Sequence, residues 1–66
     1  MSDERETLIE RKQQVIAEIR RCQLELNQVR LRSDRFSVQR AQDLEHRLTQ
    51  LMAEEARLRR AIDRAP

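Results

Sequence analysis

The residues that could do chemistry are few, and their spacing does not suit it. There is one cysteine, Cys22, one histidine, His46, and in the second half an adjacent pair of carboxylates, Glu54 and Glu55. Nucleophilic catalysis needs a base beside the nucleophile, and a zinc site needs clustered Cys and His ligands. Neither pattern occurs. Glu54 and Glu55 are neighbours in sequence, so on a helix they point in different directions and do not act as an acid–base pair. The chain has no glycine, and with it no Gly-rich phosphate loop. The reading is a non-enzymatic protein with no cofactor, no metal and no small-molecule substrate. Cys22 reads as a small buried hydrophobe and His46 as a solvated surface residue.

What remains is contact chemistry. Residues 30–40 hold Arg30, Arg32, Arg35 and Arg40 against Asp34, together with Phe36, the only aromatic residue. Arginine and aromatic side chains are the usual anchors of protein interfaces. The same arginines could meet phosphate, but the net charge is only +2 and no aromatic residues interleave with the basic ones. Protein contact is therefore the first reading and nucleic-acid contact the second.

Two helical patterns must position these residues. Charged residues make up 39% of the chain, there is one proline, and Ala, Leu, Glu, Arg and Gln dominate. All are strong helix formers. In the first half Leu8, Val15, Cys22 and Val29 recur every seven residues (d positions), alternating with Arg5, Lys12, Ile19 and Leu26 (a positions). In the second half the a set is Ala41, Leu48, Glu55 and Ile62, and the d set is Leu44, Leu51, Leu58 and Ala65. Between them the stripe slips by one residue. The reading is a single domain, residues 1–66: helix 1 over about 3–31, a bend over about 32–37, and helix 2 over about 37–63. Ser33, Asp34 and Ser37 favour the bend, although no glycine or proline enforces it.

Folding the chain about position 35 sets every a against a d. The layers are Leu8 with Ile62, Lys12 with Leu58, Val15 with Glu55, Ile19 with Leu51, Cys22 with Leu48, Leu26 with Leu44, and Val29 with Ala41. The predicted fold class is all-α, an antiparallel two-helix hairpin. Lys12 and Glu55, the two polar intruders, are expected to pair across the seam and fix its register. Asp3, Glu4, Glu6 and Glu10 are expected beside Arg57, Arg59, Arg60 and Arg64. A chain this short buries little surface, so completion by a homodimer (a four-helix bundle) or by a protein partner is expected. The same pairings between two extended chains are the alternative.

Ala17, Leu24 and Leu31, also seven apart, project from the back of helix 1 and suggest a second packing surface. The expected contact residues are thus Phe36, Arg32 and Arg35 at the bend, with Leu24 and Leu31 behind. No run of apolar residues is long enough to span a bilayer and no signal peptide is evident, so a cytoplasmic protein without membrane contact is expected.

In length and helix–turn–helix plan the whole chain resembles the Rop-type plasmid copy-number regulators, whose hairpins dimerise into an RNA-binding four-helix bundle. It also resembles the small co-chaperones of type III secretion needle subunits. Ala41-Gln42-Asp43-Leu44-Glu45 is similar to the Ser-Gln-Glu-Leu-Asp motif of a family of small aspartyl-phosphate phosphatases that are also helical hairpins. Ala41 replaces its Ser and Glu45 its Asp, so that activity is not expected here. The functional reading is a small adaptor, chaperone or regulator acting through its surface. The alternatives are a Rop-like RNA or DNA binder, and a structural part of a phage or secretion machine.

Overall fold

The computed structural model describes residues 2–65, which form two helices, α1 (Ser2–Arg30) and α2 (Arg35–Arg64). They pack antiparallel along their length into a rod of 52 × 14 × 11 Å. The all-α hairpin expected from the heptads is the architecture observed. No described helix is long and apolar enough to cross a membrane.

Acidic Asp3 and Glu4 lie in the first turn of α1, against the positive end of its dipole. At its other end the winding tightens. Leu31 N–H donates to the Gln28 carbonyl at 3.2 Å and Arg32 N–H to the Val29 carbonyl at 3.0 Å, both three residues back. No described residue has positive φ, so the reversal has no position that calls for glycine. That is how a chain without glycine makes this bend. The connection is residues 31–34, tighter than the expected 32–37, because Asp34 starts α2 as its N-cap.

The core draws on the expected a and d positions. Val15, Cys22, Leu26, Leu44 and Leu51 are buried, with Ile19, Val29, Ala41, Leu48 and Leu58 packed against them. Val15 is fully buried. The Cys22 thiol donates to the Leu44 carbonyl across the interface at 3.3 Å.

Two electrostatic expectations need correction. Lys12 and Glu55 do not pair: the Arg59 guanidinium, one turn along α2, meets both oxygens of the Glu55 carboxylate at 2.8 Å. An i,i+4 partner on the same helix reaches Glu55 without crossing the seam. Among the described residues Lys12 makes no ion pair, and no ion pair joins the acidic N-terminal block to Arg57, Arg59, Arg60 or Arg64.

Candidate interaction surface

The interhelical ion pairs lie beside the seam. Arg11 meets Glu54 at 2.7 Å, Glu18 meets Arg47 at 3.3 Å, and Glu25 meets Arg40 at 2.6 Å. Successive pairs are one heptad apart, and each joins the position just before an a to its counterpart, so they form a rail along one edge. On the other edge Arg30 meets Glu45 at 2.9 Å. A groove of about 380 Å³ between Glu18, Cys22, Glu25, Arg40 and Arg47 is walled by these pairs. Four of its charged groups pair with one another, Arg21 on its rim makes no ion pair among the described residues, and Cys22 lies buried beneath them.

The bend end is different. Asp34 is the only acid among residues 30–40, and it is occupied. Its carboxylate accepts from the Ser37 hydroxyl at 2.7 Å and from the Ser37 N–H at 3.1 Å. These two hydrogen bonds hold the Asp34 carboxyl below its ordinary pKa, and Arg32 adds a smaller electrostatic pull in the same direction. Ser37 sits at N3, the position an N-cap carboxylate reaches. Arg30 and Arg40 are held by Glu45 and Glu25. Arg32 and Arg35 are exposed and, among the described residues, make no ion pair.

Continuing the α2 heptad backward puts Ser37, not Phe36, at the last d position. Ser37 is buried, 8% exposed, while Phe36 turns outward and is 85% exposed. Phe36 therefore does not close the end of the core. Leu31 is 87% exposed and Leu24 63%. All five expected contact residues are thus on the surface. Phe36, Arg32, Arg35 and Leu31 lie in or beside the bend, and Leu24 is two turns back along α1.

The ion-pair rail and the Ser37 burial were not anticipated. Reading the residues flanking the seam in heptad order, and carrying the d frame back one step past Leu44, would have found both. Compared with protein families, curated proteins and solved structures, the chain matches none.

Proposed function

We propose that the chain is a small non-enzymatic interaction module, an adaptor, chaperone or regulator of the cytoplasm that works as an oligomer and through protein–protein contact. The observation that carries this reading is the contrast between its surfaces. Along the seam edge the charges pair off, whereas the bend leaves Leu31 and Phe36 bare beside two guanidiniums without ion-pair partners. Large exposed apolar residues next to free arginines are the makings of an interface hot spot. The test is capture of a host protein by the immobilised chain, followed by titration with purified partner. Phe36→Ala and Arg35→Glu should each weaken that binding at least about tenfold. Equal binding by wild type and both variants overturns the assignment of the bend.

Arg32 and Arg35 favour one second reading, contact with nucleic-acid phosphate. It differs in salt response. Phosphate binding through several arginines weakens steeply between low and moderate salt, while apolar anchoring does not.

A further inference from the structure

The outer face of α1 carries a second apolar stripe. On a helix of about 100° per residue, Ile9, Ile16, Ala17 and Leu24 fall within an arc of about 100°, and Leu31, the first residue past the end of α1, continues their spacing. The centre of that arc lies roughly 140° round from the stripe that faces α2. Ile9, Ala17, Leu24 and Leu31 are exposed and Ile16 is half-buried. Among the described residues the hairpin core holds five buried apolar side chains, and none of them comes from this stripe.

We propose that a second copy of this chain occupies the stripe, with the two α1 helices antiparallel about a two-fold axis near Arg20. Two features single out this occupant. First, the stripe is complementary to itself when reversed. Folding α1 about position 20 sets Ile9 against Leu31 of the second copy, Ile16 against its Leu24, and Gln13 against its Asn27. A two-fold interface must be self-complementary in this way. Second, the charge blocks agree. Residues 3–10 hold Asp3, Glu4, Glu6 and Glu10 against Arg5, and that block has no ion pair with α2 among the described residues. At the other end stand Arg32 and Arg35. An antiparallel dimer brings the acidic block of each copy to the basic bend of the other, whereas a parallel one stacks like on like. Arg20 meets its own copy at the axis, and this pair of like charges is accommodated with each stem along apolar surface and each head turned out to water.

This arrangement leaves Phe36 outside the stripe and sets the two bends at opposite ends of the dimer. It rests on the interaction-module reading in that it names the oligomer that reading calls for, and both draw on Leu31, Arg32 and Arg35. The consequence is a bivalent particle, with a contact point at each end of a rod.

The test is sedimentation of the full chain over a concentration series reaching the millimolar range. The wild type should dimerise. Leu24→Glu and Ile16→Glu should each raise the dissociation constant at least about 100-fold while leaving helicity by circular dichroism intact. In a Cys22→Ala background, Gln13→Cys and Asn27→Cys proteins, mixed and oxidised, should crosslink to each other and not to themselves. A wild type that stays monomeric, a dimer indifferent to Leu24→Glu, or self-crosslinking at either position overturns the proposal. An extended, domain-swapped dimer would show as the second of these. Phe36→Ala should leave the dimer unchanged. A dimer that captures no partner defeats the partner-contact reading alone, and a monomer that captures one defeats this proposal, and the oligomer with it, while leaving the contact at the bend standing.

Discussion

Glu25 and Arg40 lie 2.6 Å apart, carboxylate to guanidinium, on opposite helices of the hairpin. One heptad toward the open end Glu18 meets Arg47, and one further Arg11 meets Glu54. Along α1 the order of this rail is Arg, Glu, Glu, and along α2 it is the complement. The order is not symmetric, so a slip of one heptad is penalised. Sliding one way sets Glu18 against Glu54, and sliding the other sets Arg11 against Arg47. Apolar a and d positions alone tolerate such slips, because leucine meets leucine in either register. The rail supplies the discrimination that the oily seam lacks.

The rail's energetic weight is open to a double-mutant cycle. Arg47→Glu should destabilise the hairpin and Glu18→Arg should restore it in the double variant. The pair is partly exposed, so a coupling of about 0.2–1 kcal/mol is expected by denaturant titration. It should shrink as salt rises. Zero coupling at low salt would mean that these contacts carry no register information.

Lys12 gives a sharper expectation. It is half-buried at an a position beside Leu58 and makes no ion pair among the described residues. Lys12→Leu should therefore stabilise the hairpin, by about 1 kcal/mol on the scale of one extra buried apolar side chain. A loss of stability would show that the ammonium has a partner after all. Glu55 is held by Arg59 on its own helix, so the substitution should not disturb it.

How far the structure could be read in advance follows from these same residues. The heptads are periodic, and periodicity is what a sequence displays best, so the two stripes and their antiparallel meeting were legible. Which partner a long charged side chain chooses is not periodic. Lys12 and Glu55 are close in the seam plan, yet Arg59 reaches Glu55 first, within one turn and without a crossing. The turn depended on detail of the same kind. Asp34 as cap fixes where α2 starts, that start fixes which residue is the last d, and a shift of one residue exchanges Ser37 for Phe36. The contact residues were legible by type, as Arg and Phe. That Glu45 and Glu25 take Arg30 and Arg40, while Arg32 and Arg35 make no ion pair among the described residues, was not, because the choice among neighbouring arginines is not periodic.

The Asp34 cap makes the bend sensitive to acid. The carboxyl pKa is lowered in the folded chain by the two Ser37 hydrogen bonds. A lowered folded pKa means that the cap's stabilisation is present above the ordinary aspartate range. It is lost as pH falls through the lowered value. Carboxyl chemical shifts should titrate below the ordinary range at Asp34, with the Ser37 amide moving in step. Asp34→Ala should lower the melting temperature at neutral pH and remove this part of the acid transition. An ordinary Asp34 titration with no response at Ser37 would show that the cap does not form.

Cys22 reports on the whole core, because its thiol is buried and bound to the Leu44 carbonyl. A thiol reagent can reach it only when the hairpin opens, so labelling measures the opening equilibrium. The native chain should label more slowly than the chain in denaturant, by about 100-fold at a stability of about 3 kcal/mol, since a core of this size supplies no more than about 3–5 kcal/mol. Leu51→Ala removes a buried side chain from the same cluster and should cost about 2–5 kcal/mol. That is most of what such a small chain has, so labelling of Leu51→Ala should approach the denatured rate. Phe36→Ala removes a larger side chain from the surface and should leave the rate almost unchanged, since an exposed residue away from the core shifts stability by no more than about 0.5 kcal/mol. The two substitutions thus separate the residues that hold the hairpin together from those it displays. If Phe36→Ala accelerated labelling as Leu51→Ala should, Phe36 would belong to the core and not to the contact surface.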